Sequence, residues 1–247
     1  MRCYLTSMAL ILLPALAAPC VGRGPQKLNQ PPEGFTALFN GKDFTGWKFD
    51  LAKASSETWQ IKDGILSKSR RGKTLKTEER YGDCVLMLDW RWTAEPVKKG
   101  FAVILPSGDY AADENGKRIH HDEKVDMAGD SGIYFRSGRG RPQQINLWCH
   151  PIGSGELYEW RTWFDTTPEV RAMTVPKKKM DRPIGEWNRM VITLVGEHVT
   201  VELNGEVVID ATLPGLPPEG QFFLQDHGWP IDFRNIFIKE LKPSEGR

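Results

Sequence analysis

Cysteine is scarce, with four in 247 residues. No two of them make a Cys-x-x-Cys pair, so a zinc knuckle or dithiol redox centre is not on offer. The His-Glu-x-x-His helix of zinc proteases and the glycine-rich phosphate loop of nucleotide binders are absent too. So is an excess of charge of one sign: 33 basic against 32 acidic residues leave a formal +1, which gives no reason to expect nucleic acid or an anionic surface as a partner. No stretch shows a sustained helical period, and no internal repeat is visible.

The apolar run Met8–Leu13 is too short, and too quickly broken by Pro14 and Pro19, to span a membrane. With Arg2 before it and Ala15-Leu-Ala17 after it, residues 1–22 read as a signal peptide. Pro19 before Cys20 is a poor fit to a lipidation site. The expected mature protein is therefore exported to the periplasm or beyond, without a lipid anchor or transmembrane segment. Residues 23–32, rich in Gly, Pro and polar side chains, read as a linker, and 33–245 as one domain. Export permits a Cys84–Cys149 disulfide, but cysteines inside strands are more often buried thiols.

What the chain does have is tryptophan, nine of them, and short alternating strands with tight turns. Asp63-Gly64, Gly196-Glu197 and Asn204-Gly205 read as hairpin turns. Asp83–Trp92 alternates, Phe101–Leu105 reads as a short apolar strand, and three strands are expected between Arg189 and Ile209, with two more flanking Asp226-His-Gly-Trp-Pro230. Pro106–Gly129 and Gly153–Lys179 are long excursions without a period, the first carrying His120-His121-Asp122, which read more simply as solvated than as metal ligands. This pattern predicts an all-β protein, a two-sheet antiparallel β-sandwich.

Asp130-Ser-Gly-Ile-Tyr-Phe-Arg136 and Gln143-Gln-Ile-Asn-Leu-Trp148 read as adjacent strands separated by the turn Ser137–Pro142. Alternation places Asp130, Gly132, Tyr134 and Arg136 on one face of the first, and Gln144, Asn146 and Trp148 on one face of the second. Amides, a phenol, a guanidinium and an indole suit a sugar, whose hydroxyls need planar donors and acceptors and whose C–H face needs an aromatic.

The opening Gly34-Phe-x-x-Leu-Phe-Asn-Gly-Lys-Asp-Phe-x-Gly-Trp47 resembles the start of the 3-keto-disaccharide hydrolase family. Trp59-x-Ile-x-Asp-Gly64, Asp130–Arg136, Gly185-Glu-Trp-Asn188, Val201-Glu-Leu-Asn-Gly205, Leu224-Gln-Asp-His-Gly228 and Phe233-Arg-Asn-Ile236 follow in the family's order, over about residues 33–243. The resemblance implies a concanavalin A-like jelly roll, usually exported, acting on 3-keto-glycosides. Arg141-Pro-Gln-Gln-Ile-Asn-Leu-Trp148 is similar to one subgroup, with Cys149 standing where that subgroup has Asp.

A ketone at C3 acidifies the proton on C2, so a base can remove it and the C1 substituent leaves by β-elimination, with water adding afterwards. Such chemistry needs a base, an enolate stabiliser and an acid for the leaving group. It does not need the close carboxylate pair of a retaining glycosidase, and the Glu-x-Asp-x-x-Glu strand common in sandwich-fold glycosidases is missing. The expected catalytic residues are His227 as base, Arg136 polarising the ketone, and Glu186 as a second carboxylate. Asp89, Arg91, Tyr134, Gln144, Asn146, Trp148 and Gln225 are expected to bind substrate. These residues leave the cofactor open, with a divalent cation at His227 as one option. The alternative is a non-catalytic carbohydrate-binding module using the same face, since one fold hosts both.

Overall fold

The computed structural model describes residues 27–49, 58–69, 72–137 and 142–241. The expected signal peptide, the first part of the linker and the tip of the Ser137–Pro142 turn lie outside them. From residue 27 the expected linker is laid against the domain. Asn29 and Asn235 exchange backbone-to-amide hydrogen bonds of 2.8 Å in each direction, and Asn29 Nδ2 donates to the Gly64 carbonyl at 2.7 Å.

In chain order the strands are β1 (Thr36–Ala37), β2 (Trp47–Phe49), β3 (Trp59–Lys62), β4 (Ile65–Lys68), β5 (Leu75–Thr77), β6 (Cys84–Trp92), β7 (Val97–Lys99), β8 (Val125–Met127), β9 (Asp130–Ser137) and β10 (Gln144–Trp148). Two short helices follow, α1 (Tyr158–Thr162) and α2 (Pro168–Met173), then β11 (Asn188–Val195), β12 (His198–Leu203), β13 (Glu206–Thr212), β14 (Gln221–Leu224) and β15 (Ile231–Glu240). One sheet runs β13-β12-β11-β6-β15-β4-β3, with β1 also on β15; the other runs β10-β9-β14-β5-β2. All pairings are antiparallel. This is the two-sheet sandwich that the strand pattern predicts.

Alternation explains the core. Cys84, Leu86, Leu88, Trp90 and Trp92 on β6 face inward with Met190, Ile192 and Leu194 of β11 and Val199, Val201 and Leu203 of β12; Ile133 and Phe135 of β9 and Ile145 and Leu147 of β10 meet them from the other sheet. The hairpin turns at Asp63-Gly64 and Asn204-Gly205 hold both residues at positive φ (52° and 76°, 53° and 90°), a conformation that Asn, Asp and Gly accept most readily. Cys84 and Cys149 are buried free thiols, not a disulfide.

Three stretches depart from expectation. Phe101–Leu105 is not a strand of either sheet. It is one limb of a meander built on isolated bridges, Ala102 to His120 and Ile104 to Tyr110, with Ala112 to Arg118 completing it. The supposedly irregular Pro106–Gly129 is the rest of this arm, rooted on the β7–β8 ribbon. Gly153–Lys179 contains α1 and α2, helices too short to show a period in the sequence.

Arg136 does not share the face of Asp130 and Tyr134. Between the pairings Tyr134–Phe223 and Ser137–Gln221, β9 spends one more residue than β14, a β-bulge, with Arg136 at φ 43°. The bulge turns the guanidinium inward, where it donates to Asp83 Oδ1 at 2.8 Å and to the carbonyls of Gly196 and Pro217. Gly220 allows the close approach: a Cβ there would lie 2.3 Å from the Arg136 carbonyl carbon. Gly220→Ala is expected to cost roughly 1–3 kcal/mol, the range for forcing atoms into a packed site. Urea denaturation should show a lower midpoint with unchanged slope.

Candidate functional site

A cleft of about 410 Å³ opens on the outer face of the five-stranded sheet. Six expected residues line it: Tyr134, Gln144, Asn146, Trp148, Gln225 and His227. They meet because β9 and β10 are neighbours, so alternation brings their outward side chains together, and the segment leaving β14 beside β9 adds Gln225 and His227, with Gln225 N donating to the Gly132 carbonyl at 2.9 Å. Four further residues complete it: Asp130, Tyr110, Tyr158 and Glu159.

The amides form a fixed chain. Gln144 Nε2 donates to Gln225 Oε1 at 3.0 Å, and Gln225 Nε2 donates to the Tyr134 hydroxyl at 3.1 Å. Gly132 makes room for this, because a Cβ there would meet Gln144 Nε2 at 2.1 Å. Burial pushes the Tyr134 phenol up to about 12. It stays neutral, and its own proton remains available to a ligand. Asn146 donates to Glu156 at 3.0 Å, while its Oδ1 is buried with no partner among the described residues. The Trp148 indole donates to the Gly153 carbonyl at 2.8 Å and stacks on His150 at 4.3 Å. Burial holds that imidazole neutral by lowering it to about 4.

Two groups are equipped to move protons. His227, itself exposed, sits in the loop after β14, with Nδ1 3.4 Å from Asp130 Oδ2. Burial raises the Asp130 carboxyl above its ordinary value, although His227 pulls the other way. The loop is pinned by its neighbour: Asp226 pairs with buried Lys68 at 2.8 Å and caps Gly228 N at 2.9 Å. Glu159 is the second group. Burial pushes its carboxyl up to about 7, and its Oε2 is enclosed without a hydrogen-bond partner among the described residues. A carboxyl poised near neutrality suits general acid–base work.

Glu159 reaches the cleft through the chain just before α1. Residues 155–157 run beside β10, with Asn146 N donating to the Glu156 carbonyl at 2.8 Å and Gly155 N to the Asn146 carbonyl at 2.9 Å. Glu156 is wholly buried and pairs with Arg161, which also donates to the Gly108 carbonyl and to the Tyr110 hydroxyl at 2.9 Å. That pair ties α1 to the arm and so sets Tyr110, Tyr158 and Glu159 over the sheet.

The remaining expected residues lie elsewhere. Asp89 and Arg91 are on the outer face of the eight-stranded sheet, across the core from the cleft. Asp89 holds Arg189, Arg234 and Asn235, and Arg91 pairs with Asp232 at 2.8 Å and lies over Trp187. Glu186 is exposed in the turn 183–188, its amide donating to the Pro183 carbonyl, and does not line the cleft. Arg136 is buried at the bulge. Among the described residues no three His, Cys, Asp or Glu side chains gather at metal-ligand spacing, the arm with His120 and His121 included. A larger, more apolar cavity of about 510 Å³ on the far side of Trp148 has Cys149 in its wall.

Alternation placed Asp130 on the cleft face, although the sequence offered no reason to rank it above its neighbours. Glu159, Tyr158 and Tyr110 come from the two aperiodic excursions, where no pattern pointed to them.

No curated protein matches the chain. A "putative glycosyl hydrolase" from Parabacteroides distasonis superposes with a TM-score of 0.58 at 23% identity, over 87% of this chain and 100% of its own. A second such protein from that bacterium gives 0.51 at 19%, over 84% and 99%. A non-specific endo-β-1,3(4)-glucanase of family GH16 gives 0.51 at 8%, over 86% and 94%. At these identities the likeness concerns the fold, a jelly-roll sandwich. The sequence profile of the 3-keto-alpha-glucoside-1,2-lyase-like domain matches residues 34–239, nearly all of the described sandwich, and the chain belongs to that family.

Proposed function

We propose that the protein is an exported enzyme that cleaves 3-keto-glycosides by deprotonation at C2 and β-elimination at C1. The observation that carries this reading is one cleft holding two proton-transfer groups, Glu159 and the His227–Asp130 pair, among fixed amide and phenol groups. His227, oriented by Asp130, takes the C2 proton. The electron pair moves onto the C3 oxygen, where the Tyr134 hydroxyl stabilises the enolate by a hydrogen bond. When the enolate collapses, C1=C2 forms, the C1–O bond breaks, and the departing alkoxide takes the proton of Glu159. The Glu159 carboxylate then takes a proton from water as its oxygen adds to C1, while His227 returns the first proton to C2. Gln144, Asn146 and Gln225 hold hydroxyls, and Trp148 offers the aromatic wall.

The test is His227→Ala assayed on a panel of 3-keto-glycosides by mass spectrometry, with and without chelator. Because the imidazole is about half exposed, the variant should fold. It should lose turnover by roughly 10²–10⁴-fold, the usual share of a general base. Unchanged turnover would remove His227 from the mechanism. A wild type that binds plain oligosaccharides and turns over none of the panel would be a binding module instead.

A further inference from the structure

Beside the main cleft lies a second one of about 290 Å³, and Tyr110 and Tyr158 line both. Its character is different. Arg118, Arg161 and Arg171 converge on it, opposed in its lining by Asp109 alone. Two of the three guanidiniums are neutralised: Arg161 by buried Glu156, and Arg171 by Asp109 at 2.8 Å. Arg118 has no carboxylate partner among the described residues. Its guanidinium lies over the Tyr110 ring, 4.0 Å from the centroid, with that of Arg161 at 4.6 Å. Arg171 Nε is buried without a hydrogen-bond partner among the described residues. Three cations against Glu156 and Asp109 leave one uncompensated positive charge, together with the unpaired Arg171 Nε, at the edge of the main cleft.

We propose that this second cleft is a subsite for an anionic substituent, a carboxylate as on a uronic acid or a sulfate ester, carried by the unit joined to the sugar in the main cleft. The inference rests on reading the main cleft as a carbohydrate site. A planar guanidinium already stacked on an aromatic ring loses little freedom on binding an oxyanion, and charge-assisted hydrogen bonds are the stronger kind. Tyr110 and Tyr158 line both clefts, so the charge falls on the neighbouring unit and not on the keto sugar whose C1 substituent leaves.

The test is calorimetric titration of the intact protein with a neutral disaccharide, its uronate counterpart and its sulfate ester, at low and high salt. At least one anionic sugar should bind roughly tenfold or more tightly than the neutral one, with that preference shrinking as salt rises. Whichever of the two shows it identifies the source of the charge. Arg118→Gln, at an exposed position, should erase the preference and leave the affinity for the neutral sugar as a reference. Equal binding of all three sugars, no measurable binding of either anionic one, or a preference that survives Arg118→Gln would overturn the subsite. Turnover of 3-keto-glycosides without an anionic preference overturns the subsite alone. An Arg118-dependent preference without turnover overturns the enzymatic reading and leaves the subsite standing.

Discussion

Glu159→Gln is expected to slow cleavage of a 3-keto-glycoside by roughly 10²–10⁴-fold, with substrate affinity changed by only a few fold, because an acid acts in the transition state and not in binding. Its pH behaviour sharpens the test. Burial lifts this carboxyl from 4.5 to about 7, so the wild type should lose kcat/KM as pH rises past about 7 and the acid form disappears. The variant has no such limb from this group. Stability should also fall with rising pH, but in a lower window. Between pH 4.5 and 7 the folded chain keeps a proton that the unfolded chain has released, so wild-type stability falls as pH rises through that window and is level beyond it. Glutamine has no proton to lose. The variant should therefore match the wild type near pH 4 and exceed it at pH 8 by about 2 kcal/mol, a figure reduced for solvent at the cleft mouth. Urea denaturation at the two pH values reads this directly. Equal stability at pH 8 would mean that the carboxylate is not held in a poorly solvated place. Unchanged turnover would take the leaving-group proton away from Glu159.

The site was legible where β alternation governs it and hidden where it does not. On β9 and β10 a period of two fixes the face of each side chain, and Asp130, Tyr134, Gln144, Asn146 and Trp148 do converge. The rule failed at Arg136 because a β-bulge inserts an extra residue, and nothing local in Tyr-Phe-Arg-Ser announces it. The close approach of Gly220 that accompanies it comes from a strand about eighty positions away. Asp89 and Arg91 alternate as expected, but alternation says only which residues share a face, not which of two sheets the strand joins. Their strand pairs with β11 and β15, so they lie behind the core. Glu159 was hidden for a third reason. It sits on a five-residue helix that propensity alone would not sustain, held in place by tertiary contacts with β10 and the arm.

Those tertiary contacts make the second large prediction. Glu156 and Arg161 have side chains with 0% and 1% exposure, and removing either partner strands the other's charge in the interior. Arg161→Ala should cost about 3–5 kcal/mol, the usual penalty for an uncompensated buried charge. Burial already raises the Glu156 carboxyl against the pull of Arg161, so without that pull the carboxyl should take up a proton, and the loss should grow at higher pH. Glu156→Gln with Arg161→Met replaces the pair by neutral groups and should recover most of the stability, because pairing in the interior mainly offsets its own desolvation. Activity should not recover with it. Arg161 connects α1 to the Gly108 carbonyl and the Tyr110 hydroxyl, and Glu156 also holds Asn146. The double variant should therefore fold and still show kcat/KM reduced by at least tenfold, since small misplacements of Glu159 and Tyr110 are costly to proton transfer. A double-mutant cycle in urea, run beside the kinetics, separates the two effects. Stability and activity recovering together would mean that the pair only holds the fold. Stability recovering alone would mean that it positions the cleft.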